Sequence, residues 1–316
     1  MTMPSSIASP RERDPVDGDA GLAVATRALS KRYGRSTALK DIDLRVPEGA
    51  VYMLAGENGA GKSTLLRLLL NLERPTRGQA EVTGLAADRH GARVRAHVGY
   101  VPEGFDMGSR WMTVGRWFAE RAIYYPNWDA GYVATLCRRL DIDVARRISH
   151  LSKGQVRRTQ IVAALAHRPP LLLLDEPSDG LDPAARDTVL ELISDHLSQT
   201  GCTILASTHL IYELDALVDQ VGVLSHGRLT AQMPRDGLRE TLKSYRIRGP
   251  QGWETASDIP GVLHRAQFGR EHSWVVRGDE ADVVAHITRS GGEVRDVATL
   301  NLHDAVVHLM RQGAAS

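Results

Sequence analysis

Apolar and polar positions follow two different periods along this chain, and the change of period marks its elements. Three continuous apolar runs have the length of strands that are buried on both faces: residues 50–55, 171–174 and 202–206. Strict alternation over residues 42–46 predicts one half-buried strand. Residues 183–199 are amphipathic with helical spacing, and Asp182 and Pro183 suit the N-cap and first turn of that helix. Strands that alternate with helices predict an α/β fold with a mostly parallel sheet.

The pattern also divides the chain into segments. Residues 1–21 are rich in Ser, Pro, Asp and Arg and have little periodicity, which predicts a disordered leader. Residues 22–235 carry the α/β alternation, with a helical insertion over about residues 104–150. From about residue 236 onward the strand-like runs are short and two amphipathic helical stretches follow them. We therefore expect a small C-terminal α+β domain over residues 236–316.

Composition excludes several kinds of protein. The formal charge of the 316 residues is +1, so the chain has no basic field of the kind that gathers nucleic acid, and no nucleic-acid partner is expected. The two cysteines, Cys137 and Cys202, are far apart and lie in apolar stretches, as expected for core residues in a reducing cytoplasm. The longest apolar runs are much shorter than the roughly 20 residues of a spanning helix. If the protein works at a membrane, a partner must supply the membrane part.

A glycine-rich loop between the strand at 50–55 and the following helix matches the phosphate-loop pattern G-x-x-x-x-G-K-S/T at every fixed position. Its glycines allow backbone N–H groups to form a concave site around phosphates, and the helix dipole adds positive potential. Lys62 supplies a charge near the β- and γ-phosphates, and the Ser63 hydroxyl suits Mg²⁺. The nucleotide-binding residues expected here are Gly56, Glu57, Asn58, Gly59, Ala60, Gly61, Lys62, Ser63 and Thr64.

Two carboxylates follow the apolar strand at residues 171–174. In a phosphoryl-transfer site, Asp175 would hold the Mg²⁺ shell and Glu176 would act as general base on the attacking water. An acidic pair after a strand is often only a solvated loop. The phosphate loop upstream favours the catalytic interpretation.

A third motif, Leu151-Ser152-Lys153-Gly154-Gln155, precedes a helical stretch. A serine and a glycine at a helix start can present a hydroxyl and N–H groups to an anion. Taken alone, the motif is more typical of an ordinary capped helix.

The five motifs GENGAGKS, LSKGQ, LLLLDEP, SDGLD and STH, in this order, strongly resemble those of the nucleotide-binding subunits of ATP-binding cassette (ABC) transporters. The resemblance covers about residues 23–232. It implies a P-loop NTPase of ABC type, an ATPase with a mostly parallel sheet, an antiparallel β subdomain and a helical subdomain. It also implies that Ser152, Gly154 and Gln155 complete the ATP site of an opposite subunit in a head-to-tail dimer. By the same resemblance, residues 178–182 form the D-loop, His209 is the catalytic switch histidine at the γ-phosphate, and Tyr33 stacks on adenine.

Two positions depart from the family pattern. Most relatives have Gln at the magnesium-contacting lid position, where this chain has Glu103. A carboxylate can also ligate Mg²⁺, but it adds negative charge beside a triphosphate. Lys153 stands in the signature motif where Gly is commoner, and either a phosphate contact or a solvent-facing side chain is compatible with the sequence.

The lid sequence, the stretch over residues 124–129 and the C-terminal extension resemble those of ATPases of bacterial ABC-2-type exporters. This resemblance implies the cofactors ATP and Mg²⁺ and a separate membrane permease that is driven by a homodimer, or by a heterodimer with a second ABC ATPase. It places the chain in the cytoplasm, on the inner face of the membrane. The alternative is a soluble ABC ATPase that acts as a regulator or on nucleic acid or ribosomes. The single phosphate loop, and the short segment between that loop and the acidic pair, favour the transporter.

Overall fold

The computed structural model describes residues 21–108, 110–208, 215, 217–250, 253 and 259–315 of the chain. The predicted leader, residues 1–21, lies outside the described residues except for Gly21. Strands and helices are numbered below in chain order.

An antiparallel sheet opens the structure. It contains β1 (Leu22–Tyr33), β2 (Ser36–Ile42), β3 (Arg45–Pro47), β5 (Arg77–Val82) and β6 (Leu85–Ala86), in the order β2-β1-β5-β6 with β3 also on β1. The single strand predicted over residues 42–46 is wrong, because β2 ends at Ile42 and β3 begins at Arg45. Between them Asp43 Oδ1 accepts a hydrogen bond from the Ala28 N–H at 2.7 Å, where β1 has a left-handed residue. Side chains of residues 42–46 still alternate between buried and exposed, although the strand is interrupted between Ile42 and Arg45.

The central sheet contains β4 (Val51–Ala55), β7 (Val98–Val101), β8 (Leu171–Asp175), β9 (Thr203–Thr208), β10 (Gln220–Ser225) and β11 (Arg228–Pro234). Its order is β11-β10-β4-β9-β8-β7, and every pair except β10–β11 is parallel. β4 and β8 are buried along their whole length, as their continuous apolar sequences require. The prediction of a mostly parallel sheet is confirmed. Parallel strands bring the C-terminal ends of β4, β8 and β9 to the same edge.

Helices surround this sheet: α1 (Lys62–Leu69), α2 (Ala87–Ala96), α3 (Val114–Ala122), α4 (Ala130–Arg139), α5 (Lys153–Leu165) and α6 (Pro183–Thr200). Thr113, Asp129, Ser152 and Asp182 cap α3, α4, α5 and α6 with their side chains. The predicted helical insertion thus contains α3 and α4, whose apolar sides join the core under α5. Among the helices that the structure describes, none combines the length and the apolar character needed to cross a bilayer.

The C-terminal segment contains α7 (Arg235–Thr241), β12 (Leu242–Arg248), β13 (Val262–Phe268), β14 (Glu271–Arg277), α8 (Glu280–Arg289), β15 (Glu293–Thr299) and α9 (Leu302–Ala315). The strands form an antiparallel sheet in the order β13-β14-β12-β15. This sheet has its own core, in which the Trp253 and Trp274 rings stack 4.8 Å apart and Tyr245 is buried. In contrast, the buried side of α9 belongs to the core of the central sheet. The domain boundary expected near residue 236 stays a prediction.

Candidate functional site

The phosphate loop joins β4 to α1, and two glycines make its shape possible. Gly59 and Gly61 have φ angles of 83° and 110°, in the left-handed region that glycine adopts without strain. A Cβ atom on Gly61 would lie 2.8 Å from the carbonyl oxygen of Ala38 and 2.7 Å from Leu39 Cδ2. Only glycine fits so close to β2, and the loop can therefore turn its N–H groups toward an anion at the first turn of α1.

The Lys62 side chain is buried inside this loop, with 6% of its surface exposed. Its Nζ atom donates hydrogen bonds to the carbonyl oxygens of Gly56 at 2.7 Å and Glu57 at 3.3 Å. The same atom lies 3.5 Å from Oε1 of Glu176. A buried ammonium group is unfavourable unless it is paired. These partners hold the positive charge where a triphosphate would meet it.

Asp175 ends β8 and is nearly inaccessible to solvent. Its Oδ1 atom accepts a hydrogen bond from the Ser207 hydroxyl on β9, whereas its buried Oδ2 atom accepts none from the described residues. Burial raises the pKa of Asp175, the hydroxyl groups of Ser207 and Ser63 lower it, and the nearby carboxylates of Glu103 and Glu176 raise it. A buried carboxylate oxygen without a hydrogen bond suits a site that binds a cation or its water shell.

Glu176 leaves the strand with a left-handed backbone, at a φ of 49°. This conformation is uncommon for residues other than glycine and is held only where surrounding contacts enforce it. Here the Glu176 N–H donates to the carbonyl oxygen of Ser207 at 2.9 Å. The turn places the Glu176 carboxylate beside Lys62, in the position that a base facing the phosphate loop would need.

The expected metal-binding residues also meet at this edge. Ser63 Oγ donates to Oε2 of Glu103 at 3.1 Å, so the lid glutamate reaches the phosphate loop. Hydroxyl and carboxylate oxygens are the donors that Mg²⁺ prefers, and Mg²⁺ is usually held by one or two carboxylates together with substrate phosphates. No group of three or more His, Cys, Asp or Glu side chains within the described ranges could hold a metal ion without such help. The donor set therefore fits Mg²⁺ bound jointly with a nucleotide.

A cavity of about 240 Å³ lies over the phosphate loop. It is lined by Ala38, Asn58, Gly59, Gly61, Lys62, Ser63, Thr64, Arg67, Glu103 and Glu176. Eight of the residues that the sequence assigned to nucleotide binding, to the metal or to the base therefore line one cavity: Asn58, Gly59, Gly61, Lys62, Ser63, Thr64, Glu103 and Glu176. Gly56, Glu57, Ala60 and Asp175 are not among its lining residues.

Tyr33, assigned by resemblance, is not among the described residues that line this cavity. The Tyr33 side chain is 45% exposed, and its hydroxyl donates to the Glu73 carboxylate. Arg67 Nε donates to the same carboxylate at 2.7 Å, which links Tyr33 to the cavity wall. His209 lies outside the described residues, so its contact with a γ-phosphate stays a prediction.

The signature residues lie elsewhere. Ser152 caps α5 by accepting a hydrogen bond from the Gln155 N–H at 3.2 Å, and the Gln155 side chain accepts one from the Ser152 N–H at 3.0 Å. Gly154 packs against the D-loop, since a Cβ atom there would lie 2.8 Å from the carbonyl oxygen of Gly180. Ser152, Gly154 and Gln155 do not line the cavity over the phosphate loop of their own chain.

Arg157, on α5, was not recognised from the sequence. Its guanidinium group is fully buried and contacts main-chain carbonyl groups of both the lid loop and the D-loop. Burial lowers the pKa of Arg157, while the carboxylates of Asp179, Asp175, Glu103 and Glu176 raise it. The available sequence signal was an arginine on the apolar side of α5, five residues after the N-cap.

A second cavity, of about 490 Å³, separates α3 from α2 and β7. Tyr100, Trp117, Arg121 and Tyr124 are among its lining residues, and the Arg121 guanidinium group lies 3.4 Å from the centre of the Trp117 ring. Tyr124 is 75% exposed, and the adjacent Ile123 is 80% exposed. Large exposed apolar side chains beside a cavity are typical of a protein contact surface.

Comparison with known proteins agrees with this geometry. Residues 39–179 match the family described as ABC transporter. The chain is 36% identical to the daunorubicin resistance ATP-binding protein DrrA2 of Streptomyces coeruleorubidus, over 72% of this chain and 71% of that protein. It is 30% identical to the bacitracin transport ATP-binding protein BcrA of Bacillus licheniformis, over 70% and 73%. A Nod factor export ATP-binding protein I of Rhizobium etli is 34% identical over 84% and 85%, which extends into the C-terminal segment.

Solved structures agree as well. A structure described as the ATP-binding subunit of an ABC transporter superposes with a TM-score of 0.64 at 29% identity, covering 69% of this chain and 92% of that one. A dimeric ATP-binding cassette bound to ADP and Pi superposes with a TM-score of 0.60 at 23% identity, covering 67% and 98%. The predicted fold class is thereby confirmed.

Proposed function

This chain belongs to the ATP-binding proteins of ABC transporters, which hydrolyse ATP, and we propose that it does so in the cavity between its phosphate loop and Glu176. The position of Lys62 carries this proposal. Its ammonium group lies between loop carbonyl groups and the Glu176 carboxylate, 3.5 Å from the latter. A cation there binds the β- and γ-phosphates, and the carboxylate lies at the end of the site where the γ-phosphate is attacked.

Each group then has one role. Glu176 accepts the proton of the attacking water, and its left-handed backbone fixes its direction. Ser63, Asp175 and Glu103 would hold Mg²⁺, which neutralises phosphate charge when bound. The Ser207 hydroxyl donates to Oδ1 of Asp175, whereas Oδ2 has no hydrogen-bond donor among the described residues and would be the oxygen that holds the metal or its water shell. Tyr33, held by Glu73, stacks on the adenine ring.

We propose that Ser152, Gly154 and Gln155 act on ATP that is held by a second subunit. Their hydrogen bonds shape the start of α5, and they stand apart from the phosphate loop of their own chain. A helix start that presents a hydroxyl and N–H groups is suited to bind a phosphate arriving on another molecule. Two chains arranged head to tail would enclose two ATP molecules, whether the second chain is a copy or a related ATPase.

The variant Glu176→Gln tests the catalytic assignment. The amide keeps the shape of the side chain but cannot accept the proton, so hydrolysis should fall by on the order of 10² to 10⁴. ATP binding should persist, and ATP should hold the dimer closed. We expect the mass in solution to double only when ATP is added. A variant that hydrolyses ATP at the parental rate would contradict the role of Glu176.

We further propose that the chain drives export through a membrane permease, which brings it to the inner face of the membrane. The relatives compared above are named for drug resistance, bacitracin transport and Nod factor export. The cavity beside Trp117 and Arg121 suits an amphipathic segment of that permease, with apolar side chains against the aromatic residues and a carboxylate near Arg121.

The variant Ile123→Asp tests this contact, because Ile123 is 80% exposed and adjoins Tyr124, which lines the cavity. We expect less of it to sediment with membrane vesicles from cells that also express the permease. Phe268→Asp is the matched control, since Phe268 is 75% exposed in the C-terminal sheet. Equal sedimentation of both variants and the parent would contradict the docking site.

A further inference from the structure

We infer that Arg157 is a positioning residue that holds the lid glutamate, Glu103, at the magnesium end of the ATP site and ties the lid to the D-loop. This inference rests on the proposed ATPase function, because it assigns Arg157 a role at that same site. Arg157 has no direct contact with the phosphate loop among the contacts described above. It acts through the backbone on which Glu103 stands.

Each of the three guanidinium nitrogens donates to a main-chain carbonyl group. One terminal nitrogen donates to the Glu103 carbonyl oxygen at 2.8 Å, and the other donates to the Pro102 carbonyl oxygen. Nε donates to the carbonyl oxygen of Asp179 in the D-loop at 3.4 Å. The planar fork of arginine can satisfy these separate acceptors at once, which a point-like ammonium group cannot do.

Neighbouring side chains secure the same arrangement. Gln160, one turn later on α5, accepts from Arg157 at 3.2 Å and donates to the Gly104 carbonyl oxygen at 2.9 Å. The Phe105 ring lies 4.7 Å from the Arg157 guanidinium carbon. Three successive lid carbonyl groups, those of residues 102–104, are therefore bound to the side of α5.

The Glu103 main chain is bound to Arg157, whereas its side chain extends to the phosphate loop. Its Oε2 atom accepts a hydrogen bond from Ser63 Oγ at 3.1 Å. Arg157 therefore fixes the backbone of the residue whose carboxylate reaches the phosphate loop. Ser63 is the hydroxyl expected to ligate Mg²⁺. If the lid moved away from α5, the Glu103 carboxylate would move away from Ser63 and from the expected metal position.

Mg²⁺ is titrated while the affinity of the intact chain for a fluorescent ATP analogue is measured. The quantity compared between variants is the Mg²⁺ concentration at which half of the gain in affinity is reached. It reports binding and does not require hydrolysis. In Arg157→Gln, this concentration should rise by about 10-fold, the size expected for the loss of charge-assisted hydrogen bonds. Loss of a positive charge alone would strengthen Mg²⁺ binding. A fall in the half-saturating concentration would therefore overturn the inference, as would an unchanged value.

Two further variants show whether Arg157 acts through Glu103. Glu103→Ala should raise the half-saturating Mg²⁺ concentration by itself, and Arg157→Gln should add little in that background, because coupled residues are not additive. Equal fold-changes in both backgrounds would overturn the inference. Arg157→Lys keeps the positive charge but loses the planar guanidinium group with its several donors. This variant replaces Arg157→Gln in the experiment if the glutamine variant does not fold. It should raise the concentration by a smaller factor, and a parental value would overturn the inference.

Arg158→Gln is the matched control. Arg158 is the next residue on α5 and donates to the Leu140 carbonyl oxygen at 2.8 Å, on the side of α4. We expect a parental Mg²⁺ requirement, and a rise equal to that of Arg157→Gln would overturn the inference. If the parent binds the analogue and Lys62→Ala does not, the ATP site stands and a failure concerns Arg157 alone. If the parent binds no nucleotide, both proposals fail.

Discussion

The ATP site and the C-terminal sheet are built on different kinds of information. Around the ATP site, the phosphate loop and the acidic pair are short motifs at the ends of buried strands, with Lys62 after β4 and Asp175 at the end of β8. The C-terminal sheet has no such motif, and its order comes from alternating strands packed on Trp253, Trp274 and Ile287. Motifs predict chemistry, whereas alternation predicts only that a core exists.

The last helix connects the two regions. Leu302, Val306 and Leu309 of α9 are buried in the core of the central sheet, and α9 packs on β10. Met310 lines a small cavity together with Asn58 and Gly59 of the phosphate loop. The C-terminal segment thus combines a sheet with its own core and a helix that belongs to the ATPase core. The position of α9 therefore favours a role for this segment in packing on the ATPase core.

Two matched core variants test whether α9 supports the ATP site and the C-terminal sheet does not. Leu309 and Ile287 are both buried, but Leu309 faces the central sheet and Ile287 faces the C-terminal sheet. Replacing either by alanine should lower the free energy of unfolding of its core by about 2–5 kcal/mol. Only Leu309→Ala should also weaken ATP binding, because it loosens the helix turn that carries Met310 beside the phosphate loop. Thermal unfolding and ATP titration of both variants provide the measurement.

Equal ATP affinities in Leu309→Ala and Ile287→Ala would show that α9 gives the phosphate loop no support. A weaker affinity in Ile287→Ala than in Leu309→Ala would reverse the comparison. In that case the C-terminal sheet, rather than the helix, would influence the ATP site.

Acid should affect the ATPase region through two buried histidines. Burial lowers the pKa of both His167 and His196 to about 4. The ordinary value of 6.5 applies after unfolding, so the unfolded chain binds more protons between these values. The contribution of these histidines to stability should therefore fall as the pH is lowered from 6.5 to about 4 and change no further below that range. Each histidine contributes at most roughly 3 kcal/mol.

The variant His167→Phe checks this effect, because phenylalanine keeps a ring against Tyr125, whose ring centre lies 4.1 Å from that of His167. Urea unfolding between pH 7 and 4 should depend less on pH in the variant than in the parent. The same pH dependence in both would mean that His167 does not take up a proton on unfolding.

The sequence predicted the parallel sheet, the phosphate loop and the acidic pair because continuous apolar runs and fixed spacing carry that information locally. It did not predict the split at residues 42–46, where Asp43 bonds to a bulge in a distant part of β1. It also missed Arg157, whose partners are carbonyl groups about 55 positions earlier in the chain. Every residue has a main-chain carbonyl group, so the residue types in the sequence do not show which carbonyl groups will accept from Arg157. The amphipathic pattern of α9 likewise did not show which core its apolar side would join.

If each ATP site needs the signature motif of a second chain, mixing two inactive variants should restore ATP hydrolysis. Lys62→Ala removes the buried charge of the phosphate loop, and Ser152→Arg blocks the start of α5. In a homodimer, each variant alone should be nearly inactive. Random pairing of equal amounts gives one intact composite site in every mixed dimer, so the mixture should recover about a quarter of the parental ATPase rate. A mixture as inactive as its components, or a parental rate for Ser152→Arg alone, would contradict an ATP site that is shared between two chains.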